Sequence, residues 1–128
     1  MIGYVTLGTS DPAKAHAFYD ALLGSLGAKR MMEFGDFVMW GVGFDKPGIA
    51  VTPPHDGGAQ HPGNGTMTAL VVDERAKVDA LHAKALELGG TCEGAPGLRG
   101  DEGPQAFYGA YFRDLDGNKL CAFRMGPA

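Results

Sequence analysis

The chain repeats itself, and that repeat limits its fold more than any other feature. Sliding the sequence by 63 positions lays Tyr4 on Met67, Leu7 on Leu70, Ala13 on Ala76, Lys14 on Lys77, Ala17 on Ala80, Phe18 on Leu81 and Gly27 on Gly90. In the first copy Tyr4-Val5-Thr6-Leu7 has the β-branched alternation of a strand. Ser10-Asp11-Pro12 supplies an N-cap and a proline at the first helical position. Ala15, Phe18, Tyr19, Leu22, Leu23 and Leu26 then fall on one helical face, and Gly27 stops the helix. Strand-like runs follow at Ala28 to Phe34, Phe37 to Gly43 and Ile49 to Thr52. The second copy predicts a strand from Thr66 to Val72 and a helix from about Glu74 to Leu88. Its further strands are expected near Thr91, from Ala106 to Phe112 and from Lys119 to Phe123. The order of elements matches throughout. This defines an α+β chain of two tandem βαβββ modules, at about residues 1–53 and 66–128 of one domain, joined by a linker over 54–65. A glycine-rich loop from Gly94 to Gly103 interrupts the second copy. One helix cannot cover both faces of a short sheet, so the helices belong outside and the sheets should form a cupped mixed surface.

Composition narrows the function classes. Hydrophobic residues at 45% and charged residues at 20% are those of an ordinary globular protein. A formal net charge of −4 argues against nucleic acid, which wants a basic stripe. No apolar run approaches the ~20 residues that cross a bilayer. The opening Met1-Ile2-Gly3-Tyr4 runs into a strand without a leader pattern. Cys92 and Cys121 are too few and too far apart for a disulfide framework, and read as reduced thiols. A cytoplasmic protein without membrane or nucleic-acid partners is expected.

The stretch Tyr111-Phe112-Arg113-Asp114-Leu115-Asp116-Gly117-Asn118-Lys119-Leu120 resembles the strand, D-P-D-G-N, strand signature of the vicinal oxygen chelate superfamily, with Leu115 in the place of the usual proline. That superfamily includes glyoxalase I, bleomycin and fosfomycin resistance proteins and extradiol dioxygenases. The opening V-T-L…S-D-P…A-x-x-F-Y and Gly63-Asn64-Gly65-Thr66 before Ala69-Leu70 are similar to it too. The resemblance implies the glyoxalase/bleomycin resistance fold, a homodimer and a small-molecule ligand. In metal-dependent members it implies His or Gln and Glu ligands on the first and last strands of each module. Those positions fall here on Tyr4, Met67 and Cys121, with the fourth near Ala50 or Val51. Tyrosine, thioether and thiol are poor partners for a hard divalent ion. No cofactor is therefore expected, one divalent metal ion being the alternative. Independently of any family, Asp114, Asp116, Gly117 and Asn118 read as a tight hairpin turn rather than a calcium loop.

Strand alternation puts Tyr4 and Thr6 on one face, as it does Met67, Ala69 and Val71, with Leu7, Leu70 and Val72 toward the helices. Trp40, Met39, Tyr108 and Tyr111 join Tyr4, Met67 and Cys121 as candidate ligand-pocket residues, as do Met31 and Phe37. His16 and His82 are expected at solvent or the helix edge, without function. His55, oriented by Asp56, and Arg99, which would anchor a carboxylate or phosphate or pair with Asp101 or Glu102, are the loop candidates. No catalytic residue is assigned. Two functions compete: binding of an apolar or aromatic small molecule over a degenerate metal site, and a metal-dependent lyase, isomerase or dioxygenase of the glyoxalase type.

Overall fold

The computed structural model describes all residues from Met1 to Ala128. The chain divides into two compact units, Met1–Gly63 and Asn64–Ala128. No helix is long and apolar enough to cross a membrane.

The first unit runs β1 (Tyr4–Gly8), α1 (Pro12–Gly24), β2 (Lys29–Phe34), β3 (Phe37–Gly41) and β4 (Gly48–Thr52), with the sheet ordered β1-β4-β3-β2. β1 pairs parallel to β4, and the other pairs are antiparallel. Asp11 is the N-cap of α1, its Oδ1 accepting from the Lys14 amide at 3.2 Å. Ala15, Phe18, Tyr19, Leu22 and Leu23 form the buried face of that helix. They pack on Leu7, Val38, Trp40, Ile49 and Val51 of the sheet, all of them buried.

The second unit repeats the plan with β5 (Thr68–Val71), α2 (Arg75–Glu87), β6 (Thr91–Leu98), β7 (Phe107–Arg113) and β8 (Lys119–Met125), ordered β5-β8-β7-β6. Both helices have 13 residues, and their first residues, Pro12 and Arg75, keep the 63-residue offset. By the last strands the offset has grown to 71. Ala50 beside Thr6 and Cys121 beside Ala69 hold equivalent ladder positions. The difference lies in the glycine-rich segment, half of which is strand rather than loop: β6 extends to Leu98, with register shifts between Cys92 and Gly94 and between Gly94 and Gly97.

His82 is buried, contrary to its expected solvent or edge setting. It lies on the same face of α2 as Val78, Leu81 and Ala85, edge-on to Phe112 and with Nε2 3.3 Å from the Cys92 sulfur. Burial pushes its pKa down, so a neutral imidazole is favoured.

The segment after β4 stays with the first unit. Gln60 lies over Gly8, where an added Cβ would come within 3.0 Å of its Cγ. Asp56 accepts from the Gly58 amide at 2.8 Å and so shapes its own turn instead of orienting His55.

Candidate functional site

Each sheet has one face under its helix and one face without. On the helix-free face of the first unit, β1 contributes Tyr4 and Thr6, β3 contributes Phe37 and Met39, and β4 contributes Ala50 and Thr52. The Tyr4 and Phe37 rings meet edge-on at 6.2 Å, and Phe34 stands 6.4 Å from Phe37. Tyr4, Met32, Phe34, Phe37, Thr52, Pro53 and His55 line a hollow of about 450 Å³. Met39 lies beside this group but is buried, folded over Gly48, where a Cβ would lie 3.3 Å from its sulfur. A bulge between Arg30 and Met32 makes Met31 the extra residue of β2, so Met32 rather than Met31 lines the hollow.

Trp40, expected on the inward side, lies under α1 instead. Its indole N–H donates to Asp20 Oδ1 at 2.8 Å, and its ring packs against Tyr19 at 5.7 Å. Arg30 completes this group, gripping both oxygens of Asp20 at 2.9 and 2.8 Å. The Arg30 guanidinium, with help from Trp40, holds the Asp20 carboxyl below the usual range.

Tyr108 is corrected in the same way. Its hydroxyl donates to Asp79 of α2 at 2.7 Å, and Arg75 stacks over its ring at 5.1 Å. Alternation then puts Phe107, Gly109, Tyr111 and Arg113 of β7 on the helix-free face, beside Cys121 and Phe123 of β8 and Ala69 of β5. Tyr111 sits directly opposite Cys121 in the ladder. Arg99 and Lys119 approach the Tyr111 ring at 5.3 and 5.4 Å. Arg99 does not pair with Asp101 or Glu102. Its guanidinium donates to the carbonyls of Gly97 at 2.9 Å and Ala95 at 2.7 Å, whereas Glu102 is bound by Arg75. Met67 is exposed, one residue before β5 begins.

The donors at the superfamily's ligand positions do not fit a divalent ion. Burial pushes the Cys121 thiol up, against the opposing pull of the Tyr111 hydroxyl and of the Arg99 and Lys119 charges. A buried thiol is in any case a soft donor, which suits a hard divalent ion poorly. Met67 offers a soft thioether and Tyr4 a ring packed on Phe37. No group of three His, Cys, Asp or Glu side chains is arranged so that it could hold a metal ion.

The architecture, two βαβββ units with a mixed sheet each, is that of the glyoxalase and bleomycin resistance proteins. The family model described as Glyoxalase/Bleomycin resistance protein/Dioxygenase superfamily matches residues 1–122, and the chain belongs to that superfamily. Among solved structures it is similar to a glyoxalase/bleomycin resistance protein from Albidiferax ferrireducens T118, at 33% identity over 97% of this chain and 98% of that one, with a TM-score of 0.84. A hypothetical protein from S. aureus matches at 25% identity over 97% and 92%, with a TM-score of 0.74. A lactoylglutathione lyase from Agrobacterium tumefaciens shares the fold at 20% identity over 97% and 92%, with a TM-score of 0.66. No curated protein matches the chain.

The sequence reading missed Met32, Phe34, Thr52 and Pro53 of the hollow, and Lys119 beside Tyr111. The first two depend on the β2 bulge, which has no sequence signal. Lys119 was within reach, since strand alternation places it on the face of Cys121.

Proposed function

We propose that this is a binding protein of the glyoxalase/bleomycin resistance type that holds an apolar or aromatic small molecule without a divalent ion. The hollow bounded by Tyr4, Phe34 and Phe37 carries the reading. Its volume, about 450 Å³, suits a small organic molecule, and its lining of aromatic rings, Met32 and Pro53 offers flat apolar contact with Thr52 and His55 at the rim. Indole is the test ligand, followed through the amide signals of Tyr4, Phe37 and Thr52. Phe37→Ala should weaken its binding about tenfold, close to one lost aromatic contact. Equal affinity in the variant, or stoichiometric Ni, Zn, Mn or Fe in protein purified without chelators, would sink the reading and favour the metal-dependent lyase, isomerase or dioxygenase.

The same reading has two chains pairing. β1 and β5 are sheet edges bearing exposed Tyr4 and Val71, and such edges call for cover. Light scattering should give about twice the 13.4 kDa chain mass, and a monomer at micromolar concentration would exclude pairing. Two unpaired thiols support a reducing, cytoplasmic setting.

A further inference from the structure

The helix-free face of the second unit carries two cations, Arg99 and Lys119, neither of them in a salt bridge. Arg99 is held over Tyr111 by two backbone carbonyls, those of Ala95 and Gly97, not by a carboxylate. Backbone carbonyls fix a guanidinium without cancelling its charge. Of its five N–H donors, two are spent on those carbonyls and three remain for a ligand. Lys119 reaches the same ring and makes no ion pair. Glu93, whose carboxylate feels the Lys119 charge, is bound by Arg113 at 2.7 Å.

The placement of Arg99 is built into β6. A Cβ on Gly94 would come within 3.0 Å of the Tyr111 ring and 3.2 Å of Arg99 Nη2, and one on Gly97 within 3.4 Å of Nη1. The bulges at these glycines let the strand fold under the guanidinium. Beside the cations the face is apolar. Phe107 and Phe123 stack at 5.2 Å with planes 7° apart, and Ala69, Gly109 and Cys121 give a low floor.

We propose that this face binds an organic anion: a carboxylate or phosphate ester whose charged group meets Arg99 and Lys119 while its flat body lies against Tyr111 and the Phe107–Phe123 stack. A preorganised guanidinium loses little entropy on binding, and its free donors match the paired oxygens of either group. The site is made wholly of second-unit residues and stands or falls apart from the hollow of the first.

The test titrates the full chain with 2-naphthoate, 2-naphthyl phosphate and neutral 2-naphthalenemethanol, read at the amides of Gly94, Gly109 and Phe123. At least one anion should bind tenfold or more tightly than the alcohol at these residues, and weaken as salt rises. A gain confined to one anion names the group. Arg99→Gln should abolish the gain, Lys119→Gln should reduce it, and Gly94→Ala should mimic Arg99→Gln by displacing the guanidinium. Both side chains are at least partly solvent-exposed, so neither charge variant should lower the melting temperature appreciably. Anions binding no tighter than the alcohol, or unchanged within twofold in Arg99→Gln, would overturn the proposal.

Discussion

Trp40→Ala should destabilise the protein by about 4 kcal/mol, the usual cost of emptying a fully buried aromatic site. Trp40 is 1% exposed and fills the space between β3 and α1, against Tyr19 at 5.7 Å and His16 at 6.0 Å. Truncation removes that packing and takes the indole donor from Asp20. Trp40→Phe keeps most of the ring and should cost about 1 kcal/mol, near the worth of one hydrogen bond. Part of the difference between Trp40→Phe and the parent is pH-dependent. The folded-state pKa of Asp20 lies below its ordinary 3.8, so the stability it contributes is present above about pH 4 and lost as pH falls through the lower folded value. Urea melts at pH 7 and pH 3 should therefore show the gap between parent and Trp40→Phe narrowing in acid. If Trp40 is packing rather than pocket, Trp40→Phe also leaves indole binding within twofold. A tenfold loss would return this residue to the ligand site.

The fate of Trp40 shows how far the sequence could be read. Helices, caps and the order of strands were legible because their signals are local: Asp11-Pro12, the apolar face of α1, and the 63-residue offset. His82 was misread although its signal is local, since its spacing from Val78 and Ala85 puts it on the buried stripe of α2. Facing within the middle strands was not legible. Val38, Met39, Trp40 and Gly41 are all buried, so no polar residue in that run marks which side meets the helix. Tyr108 and Tyr111 lie three apart on β7, so alternation sends them to opposite faces, but it does not say which of the two meets the helix. The bulges in β2 and β6 were invisible, and they choose Met32 over Met31 and curl Arg99 over Tyr111. The cationic environment that surrounds Cys121 needed side chains in place.

Asp114→Ala should cost about 3 kcal/mol, because one carboxylate organises the whole turn between β7 and β8. Asp114 Oδ1 accepts from the amides of Asp116 and Asn118, both at 2.9 Å, and Oδ2 accepts from Asn118 Nδ2 at 2.9 Å. Asp114 and Asn118 are both buried, so alanine leaves donors that water reaches poorly. Gly117, at φ 85°, takes the left-handed step that lets the chain reverse. Leu115 rests its methyl over Gly89 at the end of α2 and ties the turn to the helix. Asp114→Asn should recover part of the loss. Its carbonyl keeps the two backbone bonds, but its amide meets that of Asn118 donor to donor. The effect reaches the site through register. The turn sets Tyr111 opposite Cys121, and a slip of one residue would turn Cys121 and Lys119 to the helix side. Hydrogen exchange along Lys119–Met125 should therefore quicken in Asp114→Ala well before global unfolding, while α1 and β1–β4 keep the parent's protection. Unchanged exchange in β8 with lowered global stability would mean that the strand is held by its neighbours and not by the turn.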